Sequence, residues 1–190
     1  MVIKGYEAEK LIAEMLNPFS DEPKSEAKYI AAHLAGVEPN QLTFCSKEIK
    51  IEDIKEIVEL EKECFSEPWS ESALSYMCTS QNTRAVAVID KECGRLAAYG
   101  GAQYILDEAN IVNIATHPDY RRRGCATAVM HALEAFFKEN GIEYVYLEVR
   151  KSNASAQALY TKEGYAPCGT IKNYYRFPAE DAVEMFKKLN

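Results

Sequence analysis

The sequence has no long apolar run. Nothing in its 190 residues approaches the roughly 20 consecutive apolar positions that span a bilayer, so no membrane anchor is expected. The opening, Met1 to Lys10, carries Lys4, Glu7 and Glu9 and lacks a signal-peptide core, which makes a cytoplasmic location the expectation. Paired cysteines are missing too. The six cysteines, at 45, 64, 78, 93, 125 and 168, form no C-x-x-C pair. The three histidines, His33, His117 and His131, stand near none of them at zinc-ligand spacing. Reduced thiols and no metal are expected. Basic charge is also scarce: 22 Lys and Arg against 29 Asp and Glu leave a net charge of −7. That balance argues against direct nucleic-acid binding and suits a basic protein or amine partner. What is present, 47% apolar and 27% charged residues without repeats, is the make-up of one globular domain with a small appendage.

The appendage is residues 1–46. Ala8, Leu11, Ile12, Met15, Leu16 and Phe19 recur at helical spacing up to Asn17-Pro18, and a second helix fits Pro23 to Ala35 with Gly36 as its stop. Two short helices bury no core alone, so they must dock on the larger part or on a partner. The larger domain is 47–190, and from Ile49 onward its pattern alternates. Ile49 and Ile51 predict a short strand, and Asp53 and Ser70 stand where they can cap two helices. Strands are predicted at 83–89, 95–104 and 109–116, then a helix from Gly124 to Asn140. A strand over 144–149, a helix over 154–163 and two last strands at 165–171 and 182–189 complete the chain. Alternating strands and helices predict an α/β (α+β) domain with a mixed sheet.

Two places carry chemistry. Arg121-Arg122-Arg123-Gly124-Cys125-Ala126-Thr127 joins a strand to a helix. Helix N-termini offer unpaired N–H groups and a partial positive charge, so they attract phosphates. Gly124 lets the backbone approach an anion, and small Cys125 and Ala126 keep the approach open. A solvated basic turn would read the same. The second place is the strand Tyr146-Leu147-Glu148-Val149-Arg150 and the helix after it. Glu148 is a carboxylate inside an apolar strand, costly to bury unless it has a use or a partner such as Arg150 on the same side. Asn153 fits an N-cap, and Tyr160 fits either a core position or an acid.

Asn113 to Ala126 resembles the acetyl-coenzyme-A signature of the GCN5-related N-acetyltransferases, the GNAT family. The resemblance implies a mostly antiparallel central sheet flanked by helices. It implies a coenzyme pyrophosphate at Arg121 to Thr127 and pantetheine contacts from the backbone of Ile114, Ala115 and Thr116. The run L-E-V-R-x-S-N-x-x-A-x-x-L-Y-x-x-x-G-Y is similar to one branch, the bacterial ribosomal-protein alanine N-acetyltransferases. In that branch the residues matching Glu148, Tyr160 and Asn153 are general base, general acid and coenzyme contact. Phe65-Ser66-Glu67-Pro68-Trp69-Ser70 and Asn173-Tyr174-Tyr175 match its other segments, which makes Trp69, Tyr174 and Tyr175 substrate-side residues. The likeness spans residues 47–190 and implies an acceptor that is a protein N-terminus, the alanine of a small-subunit ribosomal protein. A monomer or weak dimer is expected.

Acetyl transfer needs a base for the amine, an acid for the leaving thiolate and no covalent enzyme intermediate, so Cys125 is read as a small loop residue. Between Tyr175 and Glu180 the chain is shorter than in the family, which leaves substrate choice open. Ser25 to Val37, with Gln41-Leu42, is similar to the N-terminal helical module of release-factor glutamine methyltransferases. A small-molecule amine acetyltransferase and a non-catalytic coenzyme-A-binding module stand as alternatives.

Overall fold

Seven strands form one sheet in the order β1-β2-β3-β4-β5-β7-β6. The computed structural model describes residues 44–189. The expected helices within 8–19 and 23–35 therefore lie outside the described residues. The elements are β1 (Phe44–Glu48), α1 (Ile54–Cys64), α2 (Glu71–Thr79), β2 (Thr83–Asp90), β3 (Leu96–Ile105), β4 (Glu108–Thr116), α3 (Cys125–Glu139), β5 (Tyr144–Arg150), α4 (Ala154–Lys162), β6 (Ala166–Arg176) and β7 (Ala179–Lys188). Single 3-10 turns cover Ile51–Asp53 and Pro118–Tyr120. Only β4 and β5 run parallel, because α3 carries the chain back between them. The other neighbours pair antiparallel, giving the mixed, mostly antiparallel sheet that was expected. No helix among the described residues is long and apolar enough to cross a membrane.

Strand alternation divides the core into two layers. Val86, Val88, Val145, Leu147 and Val149 face α3, whose Val129, Met130, Leu133 and Phe137 are fully buried against them. Ala85, Ala87, Tyr99 and Ala115 face the opposite way, toward Ile54, Ile57 and Leu60 of α1 and Leu74 and Met77 of α2. The neighbouring glycines of β3 admit both layers. A Cβ on Gly100 would lie 2.4 Å from Val129 Cγ1, and one on Gly101 would lie 2.0 Å from Met77 Sδ. Glu134 of α3 is buried with Lys187 Nζ of β7 at 2.7 Å and the Tyr165 hydroxyl at 3.2 Å, which ties that helix across the sheet.

Two expected boundaries shift. The first strand is Phe44–Glu48, not 49–51, and it begins ahead of the boundary drawn after residue 46. Ile49 is buried, but Ile51 is 66% exposed in the 3-10 turn. The cause is Asp53, whose carboxylate accepts from the Lys50 N–H at 2.9 Å and folds the chain out of the sheet. Asp53 thus caps the 3-10 turn before α1; it makes no side-chain cap to α1 itself. Ser70 caps α2 as expected, accepting from Ala73 N at 3.2 Å. The last hairpin is longer than the predicted strands, reaching Arg176 and restarting at Ala179. Most of β6 is exposed, so its sequence carries little apolar alternation to reveal it.

Gly100→Ala is expected to destabilise the protein by about 1–3 kcal/mol through overpacking against stiff, β-branched Val129 and the Asn113 carbonyl. A thermal melt checks this, with Tm expected to fall about 2–4 °C per kcal/mol.

Candidate active site

The parallel pairing of β4 and β5 covers only Glu108–Ile111 against Tyr144–Leu147. Beyond Ile111 and Leu147 the strands diverge. A bulge helps bend β4 away: its register with β3 steps from Asn113–Gly101 to Ile111–Ala102, leaving Val112 as the extra residue. Ile114, Ala115 and Thr116 still pair with β3, yet no described strand pairs with their other edge.

Glu148 is the first residue of β5 past the last pair with β4. Its carboxylate accepts from Asn110 Nδ2 at 3.2 and 3.3 Å. It lines a cavity of about 520 Å³ together with Tyr76, Tyr104, Tyr146 and Glu184, the last its cross-strand neighbour on β7. Arg150 is not its partner. That guanidinium donates to Phe177 O at 2.9 Å and Pro178 O at 3.0 Å and meets Glu180 at 3.3 Å, so Glu148 is left to Asn110 and the cavity.

Tyr160, half-buried on α4, packs against the α3-side core, and its hydroxyl has no hydrogen-bond partner among the described residues. Burial pushes its phenol up to about 12, with a smaller contribution from Tyr175 nearby. Tyr175 donates its own hydroxyl to the Glu148 carbonyl at 3.3 Å, and burial raises it to about 12 as well. Tyr174 meets Tyr175 edge-on with centroids 5.0 Å apart; burial first and the Glu148 charge second raise its pKa. Tyr160, Tyr174, Tyr175 and Glu148 therefore form one neighbourhood. Trp69 lies on the α1–α2 loop, its side chain packed against the α1–α2 core. That loop touches the β6–β7 turn, where the Ser66 hydroxyl donates to Phe177 O at 2.6 Å.

At the far end of the gap, α3 begins at Gly124, held at φ 82° with no side-chain cap. The N–H groups of Cys125, Ala126 and Thr127 precede the first helical bond, Ala128 N to Gly124 O at 2.9 Å. The three arginines part company here. Arg121 Nε reaches Thr116 O at 3.4 Å, and exposed Arg122 sits at φ 63°. Arg123 lies over Phe44 at 5.2 Å and Tyr120 at 5.1 Å, so its side chain is engaged in stacking. Thr127 Oγ1 turns toward Glu163 at 3.3 Å, leaving its N–H for the loop. Cys125 is buried, which pushes its thiol up to about 11 and keeps it neutral. Asn153 caps α4 through Oδ1, accepting from Ala156 N at 3.1 Å.

Sequence reasoning missed the group that holds this frame. Glu61 of α1 is fully buried and accepts from Trp69 N at 2.7 Å, Asn113 Nδ2 at 2.8 Å and the Tyr99 hydroxyl. Burial raises its pKa, while the three donors pull it down. The signal was present: Glu61 continues the apolar stripe of Ile54 and Ile57, where a charge has no reason to stand unless it is bonded. Asn110, which orients Glu148, gave no such sign.

A helix mouth and two diverging strands, with a carboxylate between them, define an acyl-transfer architecture. The chain belongs to the Acetyltransferase (GNAT) family, whose sequence pattern matches residues 54–165, and is an N-acetyltransferase. Among curated proteins it is 34% identical over 132 residues to the [ribosomal protein bS18]-alanine N-acetyltransferase of Escherichia coli (strain K12), covering 70% of this chain and 86% of that protein. The crystal structure of the ribosomal-protein-S18-alanine N-acetyltransferase from Escherichia coli superposes with a TM-score of 0.71 at 30% identity over 77% of this chain and 94% of that one. Arabidopsis thaliana NAA60 with a bisubstrate analogue shares the fold, at TM-score 0.72 and 16% identity over 78% of this chain and 100% of that one.

Gly124→Val places a β-branched residue at φ 82°, where it is strained, and narrows the loop. Calorimetric titration with coenzyme A is expected to show at least a roughly tenfold weaker Kd. The same strain, about 1–3 kcal/mol, is expected to lower Tm by several degrees while the protein stays folded.

Proposed function

We propose that this chain moves an acetyl group from acetyl-coenzyme A to the α-amine of a protein N-terminus, the N-terminal alanine of a small-subunit ribosomal protein. The observation that carries the reading is the position of Glu148, a carboxylate at the head of the β4–β5 gap and open to a cavity of about 520 Å³. The substrate named for the Escherichia coli relatives supports the alanine acceptor.

Acetyl-coenzyme A supplies an activated thioester, and the residues present fit it. The unpaired edge of Ile114 to Thr116 can receive an extended amide chain, and the uncapped N–H groups of Cys125, Ala126 and Thr127 suit a diphosphate. Arg121 and Arg122 add charge beside that mouth, and the side chain of Asn153 retains its NH₂. Glu148 takes the proton of the attacking amine, directly or through water in the cavity. A free α-amine has a pKa of about 7.7–8.0, so this step raises the fraction able to attack near neutrality. Backbone N–H groups along the gap face the carbonyl oxygen as its charge grows. Tyr160 gives its proton to the departing sulfur; its phenol, raised to about 12, stays protonated through the working range. Neutral Cys125 takes no part.

The deciding experiment follows thiol release with acetyl-coenzyme A and either a hexapeptide beginning with alanine or a panel of free amines. Turnover of the peptide is expected; rapid turnover of free amines alone would give the chain to small-molecule chemistry. Glu148→Gln is expected to lower kcat about 10²–10⁴-fold with coenzyme affinity nearly unchanged. Tyr160→Phe is expected to lower kcat about 10²-fold. In the wild type, kcat should rise as the amine loses its proton and show no descending limb below about pH 10, because Tyr160 remains protonated there. A descending limb below about pH 10 that persisted in the Phe variant would belong to another group and would contradict the assigned acid.

A further inference from the structure

We propose that Arg150 is a positioning residue for the acceptor, its guanidinium fixing the β6–β7 turn and the Tyr174–Tyr175 pair as one wall of the cleft beside Glu148. This deepens the acceptor assignment above and rests on it. Arg150 lies two positions beyond Glu148 on the same face of β5. One guanidinium nitrogen donates to Pro178 O at 3.0 Å and meets the Glu180 carboxylate at 3.3 Å; another donates to Phe177 O at 2.9 Å. Its Cζ lies 4.1 Å from the centre of the Tyr175 ring. Glu180 is itself fixed, accepting from Ser152 Oγ at 3.0 Å and from the Ser152 N–H at 2.5 Å.

These contacts reach the reaction from two sides. Tyr175 bonds the Glu148 carbonyl at 3.3 Å and braces Tyr174. Phe177 O also accepts from Ser66, so the α1–α2 loop closes on the same turn that Arg150 holds. Tyr174 and Phe177 nevertheless keep 47% and 67% of their surface exposed, an aromatic wall held by its backbone and left open on its face. Two residues, Phe177 and Pro178, join β6 to β7 beyond the Arg176–Ala179 pair, and the carbonyls of both accept from Arg150. A planar fork that satisfies two carbonyls, a carboxylate and a ring at once is a demand that arginine meets and lysine does not.

Steady-state kinetics with the alanine hexapeptide test this. Arg150→Lys is expected to raise the peptide KM about tenfold, the worth of one charge-assisted hydrogen bond, with kcat and the acetyl-coenzyme A KM within about twofold of wild type. Ser66→Ala, which removes only the bond from the opposite loop, should raise the peptide KM about threefold. Added guanidinium should restore part of the peptide KM lost in Arg150→Ala. A wild-type peptide KM in Arg150→Lys would overturn the proposal, as would a fall in kcat at unchanged KM. If melting shows that Arg150→Ala does not fold, the Lys and Ser66 variants decide. A wild type inactive on the hexapeptide sinks the acceptor assignment, whereas an active wild type with an indifferent Arg150→Lys sinks only this inference.

Discussion

The site depends on a sheet that stops pairing partway along its central strands. β4 and β5 are joined for four residue pairs and then separate, although each continues as a strand, β4 against β3 and β5 against β7. Backbone N–H and C=O groups left without a partner inside a protein are costly, so a sheet opened in this way needs another chain or ligand to satisfy the exposed edges. A pantetheine arm with two amides fits that need. Beyond the end of β4, a 3-10 turn and the Arg121 to Gly124 loop lead directly into the first turn of α3.

Keeping the strands apart falls to groups that do no chemistry. The Val112 bulge turns β4, and Glu61 holds Asn113 just past it while bonding the Trp69 N–H of the α1–α2 loop. On the other strand, Arg150 and Tyr175 bind β5 to the β6–β7 hairpin. Each side of the opening is thus pinned by a buried or half-buried polar group with several partners. Partial satisfaction of such a group would cost more than its absence, which gives these positions little freedom to drift. Asn110 is the counterpart within the paired segment, orienting the carboxylate at the point where the pairing ends.

How much of this was legible follows from how far apart the cooperating residues lie. The loop at Gly124 and the caps at Ser70 and Asn153 are local, and their spacing alone marked them. Glu148 stood out because a charge interrupts an apolar strand. By contrast, the three arginines read as equivalent until Arg123 proved to be stacked on Phe44 and Tyr120, aromatic rings brought to it by β1 and the turn before the loop. Arg150 read as a partner for Glu148 because strand periodicity put the two on one face. The hairpin offered it two carbonyls and a second carboxylate, which it took instead.

By itself the sequence determined the alternation of strands and helices, the glycine that opens α3 and the presence of a carboxylate inside an apolar strand, because these follow from periodicity, backbone freedom and side-chain chemistry over a few residues. Only the tertiary structure decided where β4 and β5 part, which polar groups are buried together and which charges pair. Those outcomes turn on competition among partners separated by tens of residues, such as Glu61 with Asn113 and Arg150 with Phe177, and no local pattern encodes which partner wins.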